Sequence, residues 1–197
     1  VWQLQQHVSY CLFGSKKHLM NELFEKKNLP FYKFGDAIYL TKIETKYWIE
    51  YICKRFENTG KHISPELAEE ICRLVDNHSS YVQQLSWLLW IRTINTATTE
   101  QLTYALEDLL DQNNILFQSE TENLSAYQMN FLKAIVDGIH TKFSSKEVIS
   151  KYNLGTSANI VRLKNALLQK ELIETNGKEI VLADPVFGVW FKKEMLY

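Results

Sequence analysis

The sequence predicts a mainly α fold with three parts: a short α/β segment at the amino end, a bundle of helices in the middle, and a carboxy-terminal winged helix-turn-helix with a β-hairpin wing. Three observations carry this prediction. Residues 144–182 read helix, three-residue turn, helix, hairpin, in that order. Capped apolar stripes at helical spacing fill the region from residue 45 onward. Short apolar runs that suit strands outside the hairpin occur only in the first forty residues.

At the amino end, Val8-Ser9-Tyr10-Cys11-Leu12-Phe13 is a short, aromatic-rich run stopped by Gly14-Ser15, the pattern of a buried strand. Lys16 to Phe24 suits a helix, with Leu19 and Leu23 four apart, and Pro30 breaks it. Ile38-Tyr39-Leu40 reads as a second short strand after the turn at Gly35-Asp36. Two strands do not make a stable sheet alone, so their partners are expected outside this sequence.

From Thr45 the spacing is helical. Thr45 is expected to cap a helix whose face carries Ile49, Ile52 and Phe56, closed by Gly60. Ser64-Pro65 is an N-cap followed by Pro at the first helical position, and Leu67, Ile71 and Leu74 follow as a stripe. Asn77-His78-Ser79-Ser80 interrupts the pattern. Tyr81 to about Arg92 resumes it with Val82, Leu85, Leu88 and Leu89 inward and Trp87 and Trp90 beside them. Thr98-x-x-Gln101 is a capping box for a helix with Leu102, Leu106, Leu109 and Leu110. Residues 111–124 are polar apart from Ile115-Leu116-Phe117, which places a connection between domains near Ser119 to Leu124.

Ser125-x-x-Gln128 opens the first helix of the winged helix, with Phe131, Leu132 and Ile135 inward. Ser144 and Glu147 suit a capping box for the next helix, and Asn153-Leu154-Gly155 supplies the turn after Tyr152. Thr156-Ser157 caps a helix running to about Lys170. Two strand-like runs, 172–175 and 178–182, flank Asn176-Gly177, a strong hairpin signal. Asp184-Pro185 then starts a short, very apolar tail helix that either packs on the core or docks a neighbour. The expected division is 1–43, 44–118 and 119–197.

Composition excludes several classes. With 46% hydrophobic and 23% charged residues the 197-residue chain suits an ordinary globular protein. No apolar run reaches about 18 residues, so no membrane association is expected. Three cysteines without a Cys-x-x-Cys, and five histidines without ligand spacing, argue for free thiols in the cytoplasm and against a metal site. A net charge of -1 gives no overall attraction to nucleic acid, so any basic patch must be local. Val1 in place of Met, with no leader pattern after it, suggests a fragment.

Taken in order, several motifs resemble the carboxy-terminal half of a P-loop ATPase of the archaeal-type family, in the AAA+/STAND branch. Tyr10-Cys11-Leu12-Phe13-Gly14-Ser15 is similar to that family's sensor-1 strand, and Pro30-Phe31-Tyr32 with Ile38-Tyr39-Leu40 is similar to the link from core to lid. Asn77-His78-Ser79-Ser80-Tyr81 sits where the family has a Gly-His-Pro-like turn, with Asn77 in place of Gly and Ser79 in place of Pro. Asp184-Pro185-Val186-Phe187-Gly188-Val189-Trp190 resembles its Asp-Pro…Trp ending. The resemblance implies that 1–43 is a remnant of the ATPase core and 44–118 a helical lid. It also implies ATP and Mg²⁺ for the intact protein, with Ser15 as a sensor toward the γ-phosphate and His78 facing the nucleotide. Neither a Gly-x-x-x-x-Gly-Lys-Ser/Thr loop nor a strand ending in paired acids is present in the sequence. This chain alone is therefore expected to bind no cofactor and to hydrolyse no ATP. Its first partner is the missing ATPase core.

The helix expected over 156–170 offers a second function. Opposite its core stripe of Ile160, Leu163 and Leu167 stand Ala158, Arg162, Asn165 and Gln169, and Arg, Asn and Gln read base edges bidentately. Residues 141–170 hold six cations, Lys164 among them, against Glu147, and Lys178 lies at the wing. Three uses therefore stay open: relay of nucleotide state within an ATPase, DNA binding through Arg162, Lys164, Asn165, Gln169 and Lys178, and protein docking.

Overall fold

The computed structural model describes Gln5, residues 7–14, Met20, and residues 23–29, 31–32 and 35–196. The chain divides into two compact units, Val1–Thr41 and Lys42–Tyr197.

In the first unit the expected strands do not form. Residues 8–14 and 36–40 carry no strand, and Phe13, Ile38 and Leu40 are each more than four-fifths exposed. A strand needs a neighbour to take up its N–H and C=O groups, and among the described residues none pairs with either run. Of the expected 16–24 helix, Met20 and residues 23 and 24 are helical, and the helix continues to 25. Ser15, Lys16, Lys17 and Pro30 lie outside the described residues.

The second unit begins with four helices. Helix α1 (Thr45–Glu57) buries Trp48, Ile52 and Phe56. Its N-cap is Glu44 and not Thr45, which is the first helical residue and trades hydrogen bonds with the Asn77 amide. Helix α2 (Pro65–Leu74) starts as expected, with the Ser64 side chain accepting from the Leu67 N–H. Helix α3 (Ser79–Arg92) starts two residues before Tyr81, so Ser79 and Ser80 belong to its first turn. Helix α4 (Thr99–Glu122) has both bonds of the Thr98–Gln101 capping box.

Two links tie the halves of this bundle. The His62 N–H donates to the Asn95 carbonyl at 2.7 Å and the Ala97 N–H to the His62 carbonyl at 2.8 Å. The Lys61 ammonium donates to the Trp90 carbonyl and sits 4.0 Å from the Trp90 ring centre, while the Trp90 indole donates to Thr59.

Most of the stretch expected to connect the domains, Ser119 to Leu124, is helical. Helix α4 runs through it unbroken to Glu122. The rotation of the helix turns Ile115 and Leu116 outward and Phe117 fully inward, so the apolar knot supplies one core residue. Only Asn123 and Leu124 separate α4 from the Ser125 cap of α5 (Ala126–Val136), whose capping box is complete.

Helix α6 (Lys146–Tyr152) is capped by Ser145, one residue later than the Ser144 expected. Asn153 ends it in the left-handed conformation, and Gly155 follows at φ +82°. Helix α7 (Ser157–Gln169) has Thr156 as N-cap and buries Ile160, Leu163 and Leu167. Strands β1 (Ile173–Asn176) and β2 (Glu179–Leu182) pair antiparallel with Asn176 opposite Glu179. The turn therefore holds Gly177-Lys178, shifted by one from Asn176-Gly177. Gly177 at φ +60° provides the positive φ that the first position of such a turn requires. His140 extends the wing, since the Ile180 N–H donates to its carbonyl at 2.9 Å. Phe131 and Phe143 stack at 4.4 Å in the core of this half.

Helix α8 (Pro185–Leu196) closes the chain. One Asp184 oxygen accepts from the N–H groups of Val186 and Phe187, capping it. Val186, Phe187, Trp190 and Phe191 are buried. The tail packs on the winged-helix core and, through Phe187 and Trp190, also against Phe117 and Asn114 of α4.

Candidate functional site

Two places in the second unit bear on function: the outer face of α7, and the junction where α3, α4 and α8 meet.

The expected reading stripe does face outward. Ala158, Arg162, Asn165 and Gln169 are exposed, as is Lys178 at the wing tip, and Lys164 is half-buried. Among the described residues none of the side chains of Arg162, Lys164, Asn165, Gln169 and Lys178 has a hydrogen bond or ion pair that would occupy it. Arg162 also lines a shallow groove of about 280 Å³ with Tyr127, Gly155, Thr156, Ala158 and Asn159. The groove is built by the turn before α7. The Asn159 amide donates back to the Leu154 carbonyl at 3.0 Å, and a Cβ on Gly155 would lie 3.2 Å from that amide. Val161, 61% exposed, adds an apolar element to the same side of the helix. Exposed Glu174 and Glu179 on the wing limit the spread of positive potential.

The junction is built from residues far apart in sequence. The Tyr81 hydroxyl, near the start of α3, donates to the second Asp184 oxygen at 2.5 Å. The Trp190 indole donates to Asn114 of α4 at 2.8 Å. Phe117 of α4 meets Phe187 edge-on at 5.5 Å and Trp190 at 5.6 Å. Burial, then the hydrogen bond to Asp184, push the Tyr81 hydroxyl well above its ordinary range. Glu120 is half-buried close by, and burial followed by the Asp184 charge raises its carboxyl.

The turn that precedes Tyr81 holds His78. Asp76 at φ +47° and Asn77 at φ +53° are consecutive left-handed residues without being glycine. Lys42 pairs with Asp76 at 2.5 Å, and Thr45 holds Asn77. The His78 ring packs on Tyr81 at 4.8 Å, and its Nδ1 is buried with no hydrogen-bond partner among the described residues. His78 thus turns its ring toward α3 and the junction. The imidazole is the N-cap residue of α3 but makes no capping bond.

Ser15 stays outside the described residues. Sequence reasoning missed Tyr81, Asn114 and Asp184 as a set. Helical spacing puts Tyr81, Trp87 and Trp90 in the bundle core and Asp184 at a helix cap; Tyr81 is buried and Asp184 caps α8, whereas Trp87 is 57% exposed because it falls on the outer face of α3. What spacing lacks is the pairing of Tyr81 with Asp184, which spans 103 residues and leaves no local pattern. No group of His, Cys, Asp and Glu side chains fit to hold a metal occurs among the described residues, and no helix there is long and apolar enough to cross a membrane.

Comparison with known proteins bears on both places. Residues 115–193 match a protein-family model described as "Probable winged helix domain". No curated protein matches the chain. Among solved structures, a Walker-type ATPase of Pyrococcus abyssi superposes with a TM-score of 0.64 at 17% sequence identity. The match covers 88% of this chain and 50% of that one, so this chain spans half the length of the structure it resembles.

Proposed function

We propose that this chain is the helical lid and winged-helix part of an ATPase of the AAA+/STAND type, passing the state of a nucleotide held elsewhere to a partner. The observation that carries the reading is the match along 88% of the chain to half of a Walker-type ATPase. The sequence supports it from the other side, since it has the Asp-Pro…Trp ending and the His78 turn but no phosphate loop. In this reading ATP and Mg²⁺ belong to the missing core, which supplies the phosphate grip and polarised water. The sequence carries no phosphate-loop motif, and in this reading the chain's own contribution is mechanical. The His78 turn stands on the nucleotide side, and α3, α4 and α8 carry a shift there to the winged helix. Ser15 is the proposed sensor toward the γ-phosphate.

The test is the product of the whole gene. A Gly-rich phosphate loop within roughly 150 residues upstream of Val1, with ATP hydrolysis by the full product, is the expected result. A full product that lacks that loop and binds no ATP overturns the reading.

A second reading has its own observation, the unoccupied outward stripe on α7. In it the winged helix binds duplex DNA, with Arg162, Asn165 and Gln169 at base edges and Lys164 and Lys178 on phosphates. Binding that weakens steeply with salt and is lost in an Arg162→Ala/Lys164→Ala variant is the expected result. No binding to any duplex at low salt rejects it and leaves the α7 groove as a protein-docking face.

A further inference from the structure

The first turn of α3, which follows directly on the turn at 76–78, is joined to Asp184 at the start of α8 by the Tyr81 hydroxyl, and the turn itself is under several small loads at once. Asp76 and Asn77 both hold left-handed backbone. The His78 Nδ1 is buried without a partner, and its ring lies against Tyr81. Half-buried Glu120 stands near Asp184. A movement of the turn would let the Asp76–Asn77 backbone leave the left-handed region and expose the His78 nitrogen, and would carry Tyr81 with α3's first turn. The opposing holds are the Lys42–Asp76 pair and the Thr45–Asn77 bonds on the turn itself and the Tyr81–Asp184 bond beyond it, backed by the aromatic contacts of Phe117 with Phe187 and Trp190. Asp184 is suited to a reversible connection because its two oxygens have separate tasks. One caps α8 and the other receives Tyr81, so release of Tyr81 breaks no capping bond outright but frees the carboxylate that makes the cap to move.

We infer that residues 76–81 and the first turn of α8 form one two-state latch, closed here by Tyr81–Asp184 against the left-handed Asp76–Asn77 turn and the orphaned His78 nitrogen. A ligand or contact that favours either position of the turn thereby shifts α8, and with it the wing strand that α8 packs against. In the proposed ATPase this is where a change at the nucleotide enters the winged helix, so its use there rests on that reading. The test below contains no nucleotide, and its outcome is independent of whether the intact protein hydrolyses ATP.

The test is amide hydrogen exchange on the whole chain, wild type against Tyr81→Phe and His78→Phe. Tyr81→Phe keeps the ring and removes only the hydroxyl. It is expected to speed exchange of the Val186 and Phe187 amides roughly tenfold, together with amides of residues 78–82. His78→Phe keeps a ring on Tyr81 and removes the unsatisfied nitrogen, and is expected to slow exchange at the same two places severalfold. Faster exchange in Tyr81→Phe confined to α3, with Val186 and Phe187 unchanged, overturns the latch. So does His78→Phe exchange that is unchanged or faster at α8.

Discussion

Helices α7 and α8 are nearly equal in length, 13 and 12 residues, and lie in the same winged helix, yet they are used in opposite ways. Helix α7 buries one stripe, Ile160, Leu163 and Leu167, and turns the rest to solvent. Helix α8 buries Val186, Phe187, Trp190 and Phe191, and it meets both the long helix α4 and the winged-helix core. A helix with one apolar stripe leaves a face for a partner, whereas one apolar on several sides must be enclosed. The difference separates a helix with an open face from one that fastens. It predicts that changes in α8 act on stability and coupling, while changes in α7 act on binding.

The strongest way to break this contrast is Trp190→Ala. Removing a side chain buried to 1% exposure, together with its bond to Asn114, is expected to lower unfolding free energy by about 3–5 kcal/mol in a denaturant titration. A loss under about 1 kcal/mol shows that α8 is not the fastening element. Tyr81→Phe is expected to lower it by about 1.5–3 kcal/mol, because the bond lost is to a carboxylate and partly shielded from water. Gly155→Ala is expected to lower it by about 1–2 kcal/mol, since φ +82° is costly for a residue with a Cβ and the Asn159 amide is close.

Acid makes a subtler contrast. The Glu120 carboxyl is raised by burial and by Asp184, so the folded protein holds that proton more tightly than the unfolded chain does. Stability from this site is full below the ordinary carboxyl value and falls as pH rises from there through the raised one. Glu120→Gln is expected to flatten that part of the pH–stability curve, and an unchanged curve argues that Glu120 is well solvated. The smallest stability effect belongs to α7. Arg162→Ala with Lys164→Ala is expected to stay within about 0.5 kcal/mol of wild type while abolishing any duplex binding.

The helices and the hairpin were legible because their signals are local. Thr98–Gln101, Ser125–Gln128, Ser64-Pro65 and Asp184-Pro185 are caps that work through bonds within a few residues, and each starts the helix it announces. The shift from Ser144 to Ser145 arises because adjacent serines compete for one cap, and that from Thr45 to Glu44 because the Thr45 hydroxyl bonds Asn77 and caps nothing. The amino-end strands failed for the opposite reason. An apolar run such as Val8–Phe13 specifies a preference for burial, but a strand also needs a neighbour to pair with. Polarity alone does not show that α4 continues to Glu122 and leaves only Asn123-Leu124 of the expected connection outside a helix, because one inward residue, Phe117, holds that part of α4 against α8. The exposed stripe on α7 followed from periodicity alone. The Tyr81–Asp184 junction did not, since two residues 103 apart meet only through the packing of the whole unit.

If α8 fastens the two halves, the helical bundle and the winged helix open together. Native-state amide exchange of the whole chain in rising urea tests this directly. The most protected amides of α2, around Ala68 and Ile71, and of α7, around Leu163 and Leu167, are expected to converge on one opening free energy. Winged-helix amides that open separately at clearly lower urea, while those of α2 stay protected, would contradict the account.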